Sequence, residues 1–315
     1  MTNLSEFYGQ SLDDLSEPEI ALRYLAKLLL RGELALLLGA GVSMANSLPS
    51  WRGLVRRCEA SVGVEPHTDS EVDDRRTPGE LQEAMEEVAQ RCSGDDQLRD
   101  LIQNELYADL GGTYPDEILT SKLLIAVGAL VMPSRRGNVS NVVTLNFDDL
   151  LEWYLHLHGF RTNSVTELPA YLRSDVDVTI YHPHGFLPLS DLHPRSNWTI
   201  FRYSEYVNRL AGSEGQAWNA HMSGLFSTTR ILAVGASMGD IDIDVQMSTA
   251  RQGRPSDDLP AGFVVGSGID TAKQRKLRSS GLVPVSLPSR DDVPAFLLQV
   301  CRLAAQIDAS VGSDE

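Results

Sequence analysis

The sequence predicts an α/β fold, a Rossmann-like doubly wound parallel sheet with a helical insert. Short, continuous apolar runs recur along the 315-residue chain, as expected for strands buried on both faces of a parallel sheet. Segments with helical spacing of apolar residues separate these runs. A chain with 42% hydrophobic residues is long and apolar enough to fill one large domain of this kind.

Six segments have the composition of buried strands. The first covers residues 33–38 and ends at Gly39, where a glycine-rich turn begins. The other predicted strands are residues 142–145, 178–181, 231–234, 263–265 and 283–287. Each is followed by a turn or a helical pattern, so we expect alternating strands and helices.

The helical patterns divide the rest of the chain. Residues 1–32 are expected to form an N-terminal helical segment whose helix starts near Ser16 and ends at Gly32. The Rossmann domain is expected to span residues 33–290 and to contain a mostly helical insert over residues 54–138. Residues 291–315 are expected to be a C-terminal helix followed by a disordered tail from Asp308.

Composition argues against several classes of protein. The formal net charge of -16 disfavours a nucleic-acid binder, because such proteins use Lys and Arg to displace counterions from phosphates. We find neither a long apolar span nor a basic, apolar leader, so we expect a cytoplasmic protein without a membrane segment. The cysteines Cys58, Cys92 and Cys301 lack the spacing of a zinc site, so no metal is expected.

The first motif is Gly39-Ala40-Gly41-Val42-Ser43, directly after the first predicted strand. A glycine-rich turn at this place lets backbone N–H groups and a helix N-terminus meet the pyrophosphate of a dinucleotide. The pattern lacks the third glycine of the usual fingerprint, and a tight strand-to-helix turn also explains it.

Two further motifs also follow predicted strands. In Thr144-Leu145-Asn146-Phe147-Asp148 the polar side chains reach the edge of the sheet where open α/β folds bind ligands, although Asn and Asp also cap helices such as the one expected at 149–158. In His182-Pro183-His184-Gly185, a histidine near its usual pKa of about 6.5 can accept a proton at neutral pH. A hydrogen-bonded structural role is the alternative, and we prefer it for His182, His193 and His221.

A fourth motif, Gly235-Ala236-Ser237, ends another predicted strand. The order of the four motifs resembles that of sirtuins, and residues 39–53 are similar to the sirtuin NAD-binding segment over their whole length. Within that segment Ser50 departs from the Asp of the sirtuin pattern. The sequence after Ser237 is more similar to sirtuin-like (SIR2-like) NAD-hydrolysing proteins of bacterial anti-phage defence than to deacylating sirtuins.

The resemblance implies a role for each matching residue, with NAD⁺ as the ligand. Asn146 would hold the ribose and the attacking water, His184 would be the catalytic base, and Asp148 would receive the nicotinamide carboxamide. In the loop over the nicotinamide ribose the matching residues are Pro49 and Trp51, although an ordinary core position also explains Trp51. The residues implied for the phosphates and the adenosine half are Gly39, Ala40, Gly41, Ser43, Gly235 and Ser237.

The resemblance also bears on the reaction. Deacylating sirtuins carry a four-cysteine zinc module after the His-Gly pair, whereas this chain has no cysteine between Cys92 and Cys301. Residues 186–189 also lack the usual substrate-strand sequence, so we expect water to be the acceptor and NAD⁺ to be the substrate. The alternatives are an NAD-dependent deacylase, a non-catalytic module that binds NAD⁺ or ADP-ribose, and, more weakly, a nuclease subunit.

A permanently active NAD⁺ hydrolase would drain the cell of NAD⁺, and we recognise no sensor domain in this sequence. A partner protein or an assembly step is therefore expected to control the activity. By the same resemblance the partner is a HerA-type ATPase, a short Argonaute, or further copies of this chain as a homo-oligomer. Neither direct nucleic-acid binding nor membrane attachment is expected.

Overall fold

The structure is a computed structural model. The residues that it describes are 4–7, 9–64, 76–110, 118–132, 137–168, 170, 175–189, 193–239, 241–252 and 259–311.

A parallel sheet of seven strands forms the centre of the described molecule. The strands are β1 (Leu34–Leu38), β2 (Asn141–Thr144), β3 (Thr162–Val165), β4 (Val178–Tyr181), β5 (Arg230–Val234), β6 (Gly262–Ser267) and β7 (Leu282–Leu287). Their order across the sheet is β3-β4-β2-β1-β5-β6-β7, and every neighbouring pair is parallel. The predicted fold class, a Rossmann-like doubly wound sheet, is confirmed.

The sequence prediction missed strand β3 at the edge of the sheet. Its residues, Thr162–Val165, are mostly polar and only partly buried, because an edge strand contacts a single neighbour, β4. A buried strand is recognised by a continuous apolar run, and β3 lacks one. The six predicted strands are all present, with ends that differ by no more than two residues.

Helices cover both faces of the sheet. They are α1 (Pro18–Arg31), α2 (Trp51–Ser61), α3 (Pro78–Gln90), α4 (Asp95–Tyr107), α5 (Lys122–Val131), α6 (Leu150–Leu157), α7 (Tyr203–Ala211), α8 (Ser213–Thr228), α9 (Ile241–Gln252), α10 (Thr271–Ser279) and α11 (Asp292–Val311). Successive side chains of a strand point to opposite faces, so β1 serves two cores. Leu34, Leu36 and Leu38 join the core that contains α1, α5 and α11, whereas Ala35 and Leu37 join the core that contains α8 and α9.

Several helix ends differ from the sequence prediction. Helix α1 begins after Glu17 rather than Ser16, whose hydroxyl donates to the Asp13 carbonyl instead, and it ends at Gly32 in the left-handed conformation, as predicted. Helix α11 continues to Val311, so residues 308–311 are helical rather than disordered. They follow directly on Ile307, which still packs on the core. Residues 312–315 of the predicted tail lie outside the described residues.

The region of the predicted insert contains α3, α4, α5 and most of α2. Its limits at 54 and 138, like the other segment boundaries, remain predictions. Residues 118–131 are mostly apolar in sequence, but they do not form one helix up to Val131: Ser121 interrupts them, and its hydroxyl accepts from the Leu124 amide at the start of α5. None of the helices in the described parts of the chain is both long and apolar enough to cross a membrane.

Candidate functional site

The candidate site lies where β1 and β5 run side by side. The chain leaves β1 toward β2 on one side and leaves β5 toward β6 on the other, so the strand order reverses between them. In open α/β sheets the crevice at the carboxyl ends of such strands is where ligands bind. The turn of Gly39 and Gly41 follows β1, and the turn of Gly235 and Ser237 follows β5.

These two turns touch each other. The Gly39 N–H donates to the Val234 carbonyl at 3.1 Å, and the Gly41 N–H donates to the Gly235 carbonyl at 3.0 Å. A Cβ atom at Gly41 would lie 2.7 Å from Gly235 Cα, and Gly235 itself has a φ of +67°. The glycines are therefore required by the contact between the turns.

Most backbone amides of the first motif donate within the chain. The amides of Gly39 and Gly41 bind β5 and its turn, and that of Ser43 donates to the Ala40 carbonyl. Among the described residues, the Ala40 N–H has no acceptor, so it is the amide of this motif that is left for a ligand. On the facing turn, Ser237 is exposed.

Ser43 and Asn146 connect the loops that follow β1 and β2. The Asn146 side-chain nitrogen donates to the Gly39 carbonyl at 3.1 Å and to the Ser43 hydroxyl at 2.9 Å. The Asn146 backbone N–H donates to the Thr144 hydroxyl at 3.2 Å. Both hydrogens of the amide are used, so Oδ1 is the group of this side chain that remains to accept a hydrogen bond.

Asp148 belongs to the same hydrogen-bond network. Its Oδ2 accepts from the Ser43 hydroxyl at 2.7 Å, and its Oδ1 accepts from the Leu150 amide at 3.2 Å, at the start of α6. Burial raises the pKa of Asp148 to about 6, although the bonds from Ser43 and Leu150 act in the opposite direction. The side chain thus supports both a helix start and the Ser43–Asn146 pair.

A small cavity of about 10 Å³ lies beside this network. Its polar lining comes from Ser43, Thr144, Asn146, Asp148 and Glu152. A volume of this size, with several polar partners, suits one buried water.

The two histidines after β4 have different surroundings. His182 is 0% exposed, and its Nε2 lies 2.7 Å from Glu152 Oε1. His184 is 7% exposed, its ring lies 6.3 Å from the ring of Tyr206, and its backbone carbonyl accepts from the Ile200 amide. His182 is therefore fully enclosed beside Glu152, and His184 is the slightly more exposed of the two.

Aromatic rings join the loops around the site. Trp51 is the first residue of α2, directly after half-buried Pro49 and the capping residue Ser50, and its ring lies 4.9 Å from that of Phe201. Phe201 in turn stacks on Phe147 at 4.2 Å, next to Asn146. Trp51 is partly buried against the core, so its surroundings also fit the alternative of an ordinary core aromatic.

The segment after His184 is held from several sides. Gly185 has a φ of +104° and pairs with Thr199. The Leu187 N–H donates to the Phe147 carbonyl at 2.7 Å, and the Leu189 N–H donates to Asp149 Oδ1 at 3.0 Å. The segment after β4 is thus joined directly to the loop that carries Asn146.

Helix α4 covers this segment. The Tyr107 hydroxyl donates to the Leu187 carbonyl at 2.9 Å and lies 3.2 Å from Asp149 Oδ1. The Gln103 side chain donates to the Pro188 carbonyl at 2.7 Å. A helix of the predicted insert therefore packs on the residues that follow the His-Gly pair.

The structure joins Gly39, Ser43, Asn146 and Asp148 by direct hydrogen bonds. The sequence analysis missed three residues of the surroundings, namely Asp149, Glu152 and Phe201. Glu152 had a signal, because it is a charged residue within the apolar stripe of α6. Phe201 had none, since its contacts come from loops distant in sequence.

Part of the chain that forms this site matches a known family model. Residues 140–285 match the model of the SIR2-like domain. This part of the chain is therefore similar to the SIR2-like domain. The matched region includes Asn146, His184 and Ser237, and the glycine-rich turn after β1 precedes it. No curated protein matches the chain.

Solved Sir2 structures are also similar to the chain. A complex of a Sir2 homologue with NAD is 13% identical, covers 96% of this chain and 99% of its own, and has a TM-score of 0.49. A structure on the mechanism and regulation of Sir2 enzymes is 14% identical, with 90% and 97% covered and a TM-score of 0.43. A Sir2 homologue variant with ADP-ribose is 15% identical, with 90% and 97% covered and a TM-score of 0.40.

No group of three or more His, Cys, Asp or Glu side chains within the described residues is arranged to hold a metal ion.

Proposed function

We propose that this SIR2-like domain hydrolyses NAD⁺ at the nicotinamide–ribose bond, giving nicotinamide and ADP-ribose. The observation that carries the proposal is the fixed orientation of Asn146. Its side-chain nitrogen is bound to Gly39 and Ser43, so that Oδ1 is left to accept. An amide oxygen held in this way can orient a water molecule or a ribose hydroxyl without reorganising during the reaction.

The proposed chemistry needs one water. Its oxygen attacks the anomeric carbon of the nicotinamide ribose while the bond from this carbon to the pyridine nitrogen breaks. The bonding electrons neutralise the positive nitrogen, and positive charge develops on the ribose in an oxocarbenium-like state. His184 is the proposed acceptor of the proton that the water loses.

The other proposed contacts with NAD⁺ come from the loops after β1 and β2 and from the turn after β5. We assign the nicotinamide carboxamide to Asp148 and the backbone near it, where each carboxylate oxygen already accepts one bond and keeps a further lone pair. The Ala40 N–H and the exposed Ser237 hydroxyl are the proposed donors to the phosphates or the adenosine ribose. Pro49 and Trp51 are proposed to cover the nicotinamide ribose.

Water is favoured over an acylated peptide as the acceptor by the backbone after His184. An extended peptide binds by adding a strand to free backbone groups. Here the N–H groups of Gly185, Phe186, Leu187 and Leu189 all donate within the chain, Pro188 has none, and the carbonyls of residues 186–188 all accept. This segment has no row of backbone groups to offer a peptide.

The cellular role is proposed from the sequence resemblance. An enzyme that drains NAD⁺ is useful in bacterial anti-phage defence only if it is held inactive until needed. We propose a cytoplasmic effector that is restrained or activated by assembly with itself, a HerA-type ATPase or a short Argonaute.

The test is a direct product assay. The purified chain is incubated with NAD⁺, alone and with the products of neighbouring genes, and nicotinamide and ADP-ribose are quantified. Asn146→Ala and His184→Ala are expected to lower product release by about 100-fold or more, because each removes a reacting group. Asn141→Ala and His158→Ala are matched controls, since Asn141 begins β2 at the opposite end of the strand and His158 follows α6.

The outcomes separate the alternatives. Nicotinamide release that requires an acylated peptide would indicate a deacylase. NAD⁺ binding without any release, in every combination, would indicate a non-catalytic module.

A further inference from the structure

A buried histidine and a buried glutamate lie behind the loop that carries Asn146. His182 follows β4 and is 0% exposed, and Glu152 on α6 is 1% exposed. His182 Nε2 and Glu152 Oε1 are 2.7 Å apart, and the Ser164 hydroxyl donates to the same oxygen at 3.2 Å. Burying two ionisable groups is costly unless they pair, and this pair is shielded from bulk solvent.

The other ring nitrogen of His182 faces the loop that carries Asn146. Nδ1 lies 3.4 Å from the backbone carbonyl oxygen of Asn146. A carbonyl can only accept, so Nδ1 carries the hydrogen in this long hydrogen bond. The other ring nitrogen, Nε2, forms the hydrogen bond with Glu152. The ring also packs on Phe186 at 4.1 Å, which limits its rotation.

Asn146 is thereby held at three points. Its N–H donates to Thr144, its side-chain nitrogen donates to Gly39 and Ser43, and its carbonyl accepts from His182. The peptide that follows Asn146 cannot rotate without breaking the contact with His182. The direction of Oδ1 depends on this backbone, since the side chain branches from it.

We propose that His182 and Glu152 form a positioning pair that orients Asn146 for the reaction. Glu152 fixes the His182 ring, and His182 fixes the Asn146 carbonyl. Neither residue contacts the dinucleotide, because both lie inside the protein. The inference rests on the proposed function, in which Asn146 acts on the ribose and water.

Two substitutions of the same residue separate this role from a merely structural one. An asparagine side chain places its nitrogen where His Nδ1 lies, so His182→Asn keeps a donor for the Asn146 carbonyl and loses the contact with Glu152. A glutamine side chain reaches the position of Nε2, so His182→Gln keeps the contact with Glu152 and loses the donor. A structural role predicts that activity follows the stability of the two variants.

The positioning role predicts the opposite order. His182→Asn leaves Glu152 buried without its partner and is expected to melt at the lower temperature, yet to keep kcat within about 5-fold of the wild type. His182→Gln is expected to melt higher and to lose about 100-fold in kcat, with KM for NAD⁺ changed by less than about 3-fold, because a displaced reacting group affects the chemical step. If His182→Gln keeps wild-type kcat, or if kcat follows the melting temperatures, the proposal is wrong.

A second measurement does not depend on catalysis. Asn146-Phe147 is the only Asn-Phe pair in the sequence, so labelling with carbonyl-¹³C asparagine and ¹⁵N phenylalanine gives one NMR signal that reports the Asn146 carbonyl. The carbonyl shift is expected to move in His182→Gln and to stay near the wild-type value in His182→Asn. His158→Gln is the control, because His158 Nδ1 also contacts a backbone carbonyl, that of Tyr154, at 2.8 Å.

The two measurements distinguish the two proposals. If the wild-type chain releases no nicotinamide and the carbonyl shift moves as expected, the hydrolase proposal fails and the positioning pair stands. If the shift is the same in all variants, the positioning pair is refuted, whatever the activity.

Discussion

The Ser43 hydroxyl lies 2.9 Å from the side-chain nitrogen of Asn146 and links the loop after β1 to the loop after β2. The same hydroxyl donates to the carboxylate of Asp148. The Ser43 side chain thus orients Asn146 of the proposed reaction centre and also gives the buried carboxylate of Asp148 a hydrogen-bond donor. Removing it affects both.

Ser43→Ala is expected to lower kcat by about 10- to 100-fold, because Asn146 loses one of the two acceptors that fix its amide. It is also expected to lower the free energy of unfolding by about 1–3 kcal/mol, because Asp148 loses a buried donor. Nicotinamide release and denaturant unfolding measure the two effects. Ser227→Ala is the control and leaves kcat unchanged, because the Ser227 hydroxyl donates to the carbonyls of Ser223 and Ala250, away from the site. A Ser43→Ala enzyme with normal kcat would contradict the assigned role.

Gly41→Ala is expected to separate the turns after β1 and β5. The added Cβ would lie 2.7 Å from Gly235 Cα, which is backbone and cannot move aside. We expect weaker NAD⁺ binding by about 10-fold or more and a loss of stability of about 1–3 kcal/mol, as for other overpacked sites. Isothermal titration and thermal melting test this. Gly224→Ala, at a helical position with open space around its Cβ, should bind normally and melt no lower than the wild type.

Asp148→Asn is expected to stabilise the protein more at neutral than at acidic pH. Burial raises the folded-state pKa to about 6, above the roughly 3.9 of an unfolded Asp. Between these values the folded protein retains a proton that the unfolded chain has lost. Ionisation of Asp148 therefore costs stability increasingly from about pH 4 to about pH 6, and the full cost applies above that. Asparagine does not ionise and avoids this cost.

Melting temperatures of the wild type and Asp148→Asn, measured at about pH 4.5 and about pH 7.5, test the expectation. The melting temperature of the variant relative to the wild type should rise between the two. A difference that is constant or falls with pH would show that the folded-state pKa of Asp148 is not raised.

Tyr107→Phe is expected to loosen the segment after His184. The Leu187 carbonyl would lose its donor from α4, at a cost of about 1–3 kcal/mol for a buried group. Hydrogen exchange at the amides of residues 185–189 should accelerate, while exchange in β6 and β7 should not. Tyr203→Phe, at an exposed position on α7, serves as the control. Unchanged exchange at 185–189 would show that α4 does not hold this segment.

Much of the fold was predictable because it follows from buried apolar runs, and the site's loops were predictable because polar motifs follow those runs. The edge strand β3 was not, since pairing on one side leaves a strand as polar as a loop. The contact of Gly39 and Gly41 with the turn after β5 was not predictable either, because a glycine required by a neighbouring turn and one required by a phosphate look alike in sequence. The pairing of His182 with Glu152 depends on tertiary contact between β4 and α6, which no local pattern contains.

The contact between the turns after β1 and β5 also has a consequence for biosynthesis. One half of the cleft is made early on the ribosome and the other only after the chain beyond Arg230 has emerged. Until β5 pairs with β1, the glycines of the first turn have nothing to pack against, and the cleft between the two turns does not exist. A nascent or truncated chain that lacks β5 is therefore expected to be unable to take up a dinucleotide, so the proposed activity on NAD⁺ should require synthesis to have passed β5.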